Sequence, residues 1–231
     1  MIITIDGPVA SGKTTVARLL AEKLGFYYLG SGLLYRALAY LLRTECGYTD
    51  SSLKMVRQED VACLLDPHHF SYSYDARHKE RIFFKGKEIV ISALRTPTIA
   101  HDASMLATHG VVRQALGTLQ RIIADDHNVV VEGRDAGSVV FHDADIKFFI
   151  TATVAERARR WQQDQAAQGV RLSFNEAVVM VERRDARDKG RVIDPLVVPE
   201  RAIIIDTTAL DLEQVVMRLQ EDIQQQHKMH A

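Results

Sequence analysis

Cysteine is scarce in this sequence of 231 residues, since only Cys46 and Cys63 occur. Two cysteines cannot form a disulfide framework, and their spacing is not that of metal ligands, so we expect free, buried thiols in a reducing compartment. No apolar run approaches the roughly 18 residues of a membrane helix, and the N-terminus lacks the basic start of a signal peptide. The formal net charge is −1, which does not favour binding to nucleic acid or an anionic membrane. We therefore expect a cytoplasmic protein without nucleic-acid or membrane partners.

The remaining composition is that of an ordinary globular protein, with 47% hydrophobic and 26% charged residues. Short apolar runs alternate with segments of helical periodicity. Strands are predicted at residues 2–6, 26–29, 128–131, 146–150 and 202–205. Because these runs lack a polar alternation, both faces of each strand should be buried. The sequence therefore predicts an α/β fold with a five-stranded parallel sheet and helices on both of its faces.

Helix boundaries are indicated by capping residues. Ser31 is predicted to cap one helix, Thr96-Pro97 to begin another, and Ser173 with Glu176 to form a capping box. Residues 70–91 differ, because they are rich in aromatic and β-branched residues, and they favour a small antiparallel hairpin with Gly86 at its turn. Helices are predicted at 13–24, 32–43, 53–65, 97–125 with a break near Gly110, 154–168, 173–188 and 211–225.

The most specific motif is the run Gly7-Pro8-Val9-Ala10-Ser11-Gly12-Lys13-Thr14, which matches the phosphate-binding loop, or P-loop. In this pattern backbone N–H groups surround phosphate oxygens, and the following helix directs its positive end at them. Lys13 can reach the β- and γ-phosphates, and Thr14 can offer its hydroxyl to Mg²⁺, with the adjacent Thr15 as the alternative. The motif predicts binding of a nucleoside triphosphate, and it leaves open what the protein does with it.

Several features favour a small kinase over a GTPase or a motor. The sequence contains no Asn-Lys-x-Asp run of the kind that recognises guanine, and it is short for a motor ATPase. Residues 151–191 hold nine Lys or Arg against six Asp or Glu, and arginines can stabilise the charge of a transferring phosphoryl group. The alternative interpretation of these arginines is a solvated helix face with surface ion pairs.

Together these motifs resemble the bacterial cytidylate kinases, the nucleoside monophosphate kinases that phosphorylate CMP and dCMP. The resemblance covers nearly the whole chain and implies an ATP- and Mg²⁺-dependent transfer that yields CDP or dCDP. The segments that carry it are residues 5–8, 11–14, 30–36, 92–96, 103–104, 112–113, 132–135, 139–141, 184–188, 191 and 195–196.

The resemblance also implies roles for individual residues. ATP would bind to the loop Gly7, Pro8, Val9, Ala10, Ser11, Gly12, Lys13, Thr14 and Thr15, with Thr14 at the metal. Ser104, Arg113 and Asp135 would contact the cytosine or hold the residues that do. Ser31 would lie near the monophosphate, which Arg36, Arg134 and Arg191 would bind. Arg184 and Asp188 would approach the sugar and the transferring phosphate. The catalytic set would be Lys13, Arg134, Arg157, Arg160 and Arg184.

For the domain organisation, the resemblance implies one nucleoside monophosphate kinase domain. Its core would comprise residues 1–65 and 96–231, the hairpin at about 66–95 would be an enlarged CMP-binding insert, and residues 154–191 would form a lid that contains Arg157 and Arg160. We expect a monomer, because nothing in the sequence suggests an obligate interface.

The chain departs from the family pattern at three positions: Gly30 and Glu132 stand where the family usually has aspartate, and Ala10 stands where it often has glycine. Two other functions remain open from the residues alone. One is a P-loop kinase with another acceptor, such as UMP, AMP or a shikimate-like compound. The other is a non-catalytic nucleotide sensor.

Overall fold

The computed structural model of this chain describes residues 1–75, 77–167 and 169–230. The strands are β1 (Ile2–Asp6), β2 (Tyr27–Gly30), β3 (Phe70–Tyr74), β4 (Glu80–Phe84), β5 (Lys87–Ile89), β6 (Val129–Glu132), β7 (Ile146–Thr151) and β8 (Ile203–Asp206). The helices are α1 (Lys13–Leu24), α2 (Ser31–Cys46), α3 (Gln58–Leu64), α4 (Ile91–Leu94), α5 (Pro97–Leu106), α6 (Gly110–Asp125), α7 (Val154–Ala167), α8 (Phe174–Lys189) and α9 (Leu212–His230).

The main sheet has the five strands that the sequence predicts, and their order is β2-β6-β1-β7-β8. Strands β1, β7 and β8 run parallel, with Ile5 opposite Phe148 and Phe148 opposite Ile203. Ile3 and Ile5 on one face of β1 and Thr4 and Asp6 on the other are all completely buried, as expected for a strand that is covered on both faces. In a parallel sheet the carboxyl ends of the strands share one edge, which is where ligand-binding loops of such folds lie.

The chain divides into two compact units, one of Met1–Phe26 with the chain from Val130 onward, and one of Tyr27–Val129. In the first unit, α7 packs along α8 and α1 contacts α9. An ion pair between Lys23 and Glu213, with 2.7 Å between Nζ and Oε2, joins α1 to α9.

In the second unit, α2 packs on α5. The Arg43 guanidinium donates from Nε to Asp102 Oδ2 at 2.5 Å and from Nη2 to Asp102 Oδ1 at 2.9 Å. Asp102 is almost fully buried, so this two-pronged ion pair holds α5 against α2 in a setting where a lone carboxylate would be costly.

The predicted hairpin is a three-stranded antiparallel sheet in the order β3-β4-β5. The predicted turn at Gly86 is confirmed, since it lies between β4 and β5. Lys85 and Gly86 both have positive φ, at 48° and 74°, which suits a tight hairpin turn. The third strand, β5, has three residues, which is too short to show an alternation in the sequence. The two-stranded prediction was therefore incomplete.

Local capping signals are confirmed where a side chain makes the cap. Thr96 Oγ1 accepts the Ile99 N–H at 3.3 Å, and Pro97 is the first residue of α5. Ser173 and Glu176 form the predicted capping box at the start of α8. The Ser31 prediction was wrong, because Ser31 is the first residue of α2 and Gly30 stands at the cap position without a side-chain bond.

Several other boundaries differ from the sequence predictions, and α2 continues to Cys46 instead of ending at residue 43. The helix predicted over 53–65 is a short 3₁₀ turn, Ser52–Lys54, followed by α3. The last helix continues to His230 instead of ending near residue 225, while Ala231 lies outside the described residues. Residue 168, the predicted end of the helix that begins at Val154, also lies outside them, and α7 is described as far as Ala167.

Cys46 and Cys63 are free thiols as expected, but both are exposed instead of buried. Within residues 1–75, 77–167 and 169–230, no helix has the length and apolar character needed to cross a bilayer.

Candidate active site

The P-loop occupies residues 7–12, between the buried strand β1 and helix α1. Side chains of the loop hold its shape from within, because Ser11 Oγ donates to Pro8 O at 3.1 Å and Lys13 Nζ donates to the same oxygen at 2.6 Å. Gly7 is required sterically, since a Cβ there would collide with the carbonyl oxygen of Ile150. The loop is thus fixed both by its own side chains and by the neighbouring strand β7.

Lys13 is buried at the first turn of α1, with 4% of its surface exposed. Burial lowers the pKa of its amine to about 7, and the positive charge of Arg134 acts in the same direction. The carboxylates of Glu132 and Asp6 act in the opposite direction. An amine that titrates near neutrality will gain its proton readily when an anion approaches it.

Thr14 and Thr15 follow Lys13 in the first turn of α1, and both are exposed. In the described part of the chain, no group of three or more His, Cys, Asp or Glu side chains could hold a metal by itself. A threonine hydroxyl is the oxygen ligand that a P-loop can offer to Mg²⁺, which otherwise keeps water and phosphate oxygens as ligands.

Helices α7 and α8 reach the P-loop through a buried ion pair. Arg157 Nη1 lies 2.5 Å from Asp185 Oδ2, and both side chains are nearly inaccessible. The same pair contacts the loop backbone, since Arg157 Nη1 donates to Val9 O at 3.2 Å and Asp185 Oδ1 accepts the Val9 N–H at 3.3 Å. The predicted lid residue Arg157 therefore lies against the loop.

Arg160 contacts the other side of the loop. Its Nη1 donates to Ser11 O at 3.2 Å and to Thr207 Oγ1 at 2.9 Å, while Nη2 donates to Thr207 O at 2.8 Å. Glu156 accepts from Arg160 Nε one turn earlier in α7. Both predicted lid arginines thus lie on the P-loop, and each has a carboxylate partner.

A second group of predicted residues lies on the segment after β6 and at the end of α8. Arg134 Nε donates to Asp188 Oδ2 at 3.0 Å, and Arg191 Nε donates to Asp188 O at 3.2 Å. Asp135 is buried directly after Arg134. Arg184 lies one turn before Asp188 in α8, with its guanidinium 6.0 Å from the centre of the Trp161 ring. The first unit therefore gathers Arg134, Asp188 and Arg191 into one cluster.

The other predicted acceptor residues lie in the second unit. Ser31 and Arg36 are on α2, where Arg36 Nη1 donates to Leu94 O at 3.1 Å. Ser104 is on α5, the helix held by Asp102. Arg113, on α6, is buried and donates from Nη1 to Ala107 O at 3.1 Å. Contacts between α2 and α5 and between α2 and α6 bring the three helices together.

Comparison with known proteins identifies the fold's relatives. The family model for cytidylate kinase matches residues 3–225, which include every predicted site residue. The chain belongs to the cytidylate kinase family. Its relatives include the cytidylate kinase of Caldanaerobacter subterraneus subsp. tengcongensis, 39% identical over 98% of this chain and 96% of that protein. The cytidylate kinase of Enterococcus faecalis is 35% identical over 96% of this chain and 95% of that protein.

Among solved structures, an uncharacterized protein from Eubacterium ventriosum has a TM-score of 0.50 and 14% identity, and the match covers 97% of this chain and 98% of that one. At this identity the likeness concerns the fold alone. It agrees with the parallel sheet and helices described above.

The three departures from the cytidylate kinase pattern have different structural settings. Ala10 has a φ of 57°, a backbone conformation that favours glycine. Glu132 keeps a carboxylate near Arg134, with 3.9 Å between Oε1 and Nη1. At Gly30, a Cβ would lie 2.8 Å from both Glu80 Oε1 and the Tyr28 hydroxyl oxygen.

The space beside Gly30 is thus filled by a carboxylate from β4. Glu80 is buried, and its Oε1 accepts from the Tyr72 hydroxyl at 3.2 Å. Tyr72 also donates to Tyr28 O at 2.8 Å, which links β3 to β2 within the second unit.

Three residues that the sequence analysis did not single out help to build the site: Asp6, Asp185 and Thr207. Asp6 could have been noticed as a carboxylate that ends an otherwise apolar strand immediately before the P-loop. Asp185 lies within the segment 184–188 that carries the family resemblance, but neither its role nor that of Thr207 could be predicted, because their partners, Arg157 and Arg160, are distant in sequence.

Proposed function

We propose that this chain transfers the γ-phosphoryl group of ATP to CMP or dCMP and releases ADP with CDP or dCDP. The observation that carries the proposal is the match to the cytidylate kinase family over nearly the whole chain. The P-loop with its buried lysine supports a triphosphate donor, and the arginine cluster supports an anionic acceptor.

In the proposed reaction, a bond forms between a phosphate oxygen of CMP and the γ-phosphorus, while the bond from that phosphorus to the β–γ bridging oxygen breaks. The acceptor oxygen is already anionic near neutral pH, so the step requires no general base. Catalysis then consists of positioning and charge stabilisation. Lys13 would act at the donor phosphates, and Arg134 and Arg184 at the transferring group, with Arg157 and Arg160 closing on ATP.

The low pKa of Lys13 fits this role. Burial is the main reason that the amine is partly neutral at pH 7. Opposite charge close to an amine favours its protonated form, so a bound polyphosphate would raise the pKa of Lys13 again. The lysine would be fully cationic when ATP is present.

Thr14 is the residue that we propose to hold Mg²⁺, which would neutralise charge on the β- and γ-phosphates when bound. Its exposed position in the first turn of α1 leaves the hydroxyl accessible. On the acceptor side, Ser104, Arg113 and Asp135 would recognise the cytosine, Ser31 and Arg36 would contact the monophosphate with Arg134 and Arg191, and Asp188 would approach the sugar.

The test is a coupled assay of ADP release with CMP, dCMP, UMP, AMP and shikimate offered in turn. We expect turnover with CMP and dCMP, and a preference for UMP, AMP or shikimate would assign the chain to another acceptor. If no ADP is released with any of these acceptors, the result would favour a nucleotide sensor.

The variant Lys13→Ala should abolish transfer without unfolding the protein. Lys23→Ala is the matched control, because Lys23 is the same residue type on the same helix and forms an ion pair with the exposed Glu213, away from the P-loop. Near-normal turnover by Lys13→Ala would contradict the mechanism. We also propose that the protein is cytoplasmic and monomeric. Sedimentation of the purified chain at working concentration would check that it is a monomer.

A further inference from the structure

Asp6 is a completely buried carboxylate at the carboxyl end of β1. Each of its oxygens accepts one backbone N–H, from Ala136 to Oδ1 at 2.9 Å and from Gly137 to Oδ2 at 2.7 Å. Both donors belong to a five-residue π-helical turn, Ala136–Val140, that follows Asp135. The first N–H groups of a helical turn have no partner within it, so the carboxylate supplies the partners that this turn lacks.

The contact between Asp6 and this turn requires close packing. A Cβ on Gly137 would lie 2.5 Å from Thr4 Oγ1 and 3.3 Å from Asp6 Oδ2. One more bond fixes the start of the segment, since the Gly133 N–H donates to Ile5 O at 3.1 Å. The segment 133–137 is therefore hydrogen-bonded to the last residues of β1 both at its start and at its end. Arg134 and Asp135 lie between these two attachments.

The P-loop itself does not depend on the same bonds. Its shape is held by Ser11 and Lys13, which donate to Pro8 O, and by Arg160, which donates to Ser11 O. The carboxylate of Asp6 thus acts on the segment that carries two predicted acceptor residues, although Asp6 directly precedes the ATP loop in sequence.

We propose that Asp6 is a positioning residue for the acceptor side of the reaction, in which its carboxylate fixes the backbone that presents Arg134 and Asp135. The inference rests on the proposed CMP kinase function. It assigns a role in nucleoside monophosphate binding to a residue that touches neither substrate.

The ionised form is the one that serves both donors. Burial raises the pKa of Asp6 to about 6, against the opposing effect of the Gly137 and Ala136 N–H groups. The carboxylate is therefore charged at pH 7.5 and above. An asparagine in its place keeps one acceptor oxygen, and an alanine keeps none.

The experiment compares Asp6→Asn, Asp6→Ala and the control Thr4→Val at pH 7.5. Thr4 lies on the same strand and is also fully buried beside Gly137, and within the described residues its hydroxyl has no hydrogen-bond partner. We expect Asp6→Asn to raise the KM for CMP about tenfold, the effect of one lost hydrogen bond to a charged group. Asp6→Ala should raise it further. The KM for ATP should change much less than the KM for CMP, because the charge of Asp6 is only one of several that act on Lys13. Thr4→Val should change neither constant.

A second measurement does not involve activity. Hydrogen exchange of the Ala136 and Gly137 amides should be faster in Asp6→Ala than in wild type and unchanged in Thr4→Val. If Asp6→Ala does not fold, Asp6→Asn carries the same comparison, with faster exchange expected at whichever of the two amides faces the asparagine NH2 group.

Equal effects of Asp6→Asn on the two KM values would overturn the inference, as would unchanged exchange at both amides. If the wild-type chain does not phosphorylate CMP, the proposed function fails instead. In that case the exchange result still decides whether Asp6 fixes the segment.

Discussion

Replacing Ala10 by glycine should stabilise the protein, because Ala10 is the one non-glycine residue of the P-loop that has positive φ, at 57°. The left-handed conformation costs an L-residue about 1–2 kcal/mol, while glycine adopts it freely. Glycine loses about 0.5–1 kcal/mol more conformational entropy on folding than alanine. The difference predicts a gain of about 0.5–1 kcal/mol for Ala10→Gly.

The assay is thermal and urea unfolding of the wild type and the variant. In a chain of this size, 1 kcal/mol corresponds to roughly 2–4 °C in Tm, so the expected shift is measurable. The control is Ala186→Gly, at an exposed position inside α8. There glycine should lower stability by about 1 kcal/mol, since it replaces alanine in a helix.

Ala10→Val extends the test in the opposite direction, because a β-branched side chain tolerates positive φ poorly. It should be less stable than wild type, while the order glycine, alanine, valine should hold in both thermal and urea unfolding. If Ala10→Gly loses stability as Ala186→Gly does, the reasoning about backbone strain at the P-loop is wrong.

Two further predictions concern the site residues. Lys13→Met should stabilise the protein most below pH 7, because the wild type must bury an amine whose pKa falls from 10.5 to about 7. Between pH 7 and 10.5 the native state has released this proton while the unfolded state still holds it, so the free energy of unfolding of the wild type should rise by about 1.4 kcal/mol per pH unit. The stability advantage of Lys13→Met should therefore be smaller at pH 9 than at pH 7, which urea titrations at both pH values would measure. A constant advantage would contradict this assignment of the pKa. Asp135→Ala should raise the KM for CMP far more than that for ATP in steady-state assays, and equal effects on both would count against a role in recognising the base.

Much of the fold follows from short stretches of sequence whose signals are local. The run from Ile2 to Leu24 predicts strand, P-loop and helix because apolar content, two glycines and a helical period occur in order. Thr96-Pro97 and Ser173 with Glu176 mark helix starts because each cap is made by a side chain within three residues. Such features depend on neighbours in the chain, so a single sequence suffices to predict them.

The features that the sequence did not predict depend on distant partners. Ser31 resembles a cap residue in isolation, but the chain enters α2 from β2 one residue earlier, with Gly30 at the cap. A side chain at Gly30 would meet the carboxylate of Glu80, fifty residues later, and would require that carboxylate to move. A capping rule cannot anticipate a constraint that arises only when β4 packs nearby.

The same reasoning separates the two kinds of residue in the candidate site. Lys13 was predicted from its motif, since its role is fixed by the loop that it belongs to. Asp6 precedes that loop, yet its carboxylate accepts hydrogen bonds from Ala136 and Gly137, which lie 130 and 131 positions away in sequence. Proximity in sequence would assign Asp6 to ATP binding, whereas its hydrogen bonds assign it to the segment of Arg134 and Asp135. The Asp6 variants therefore decide between the two assignments. A role in ATP binding predicts a higher KM for ATP, and a role in holding Arg134 and Asp135 predicts a higher KM for CMP.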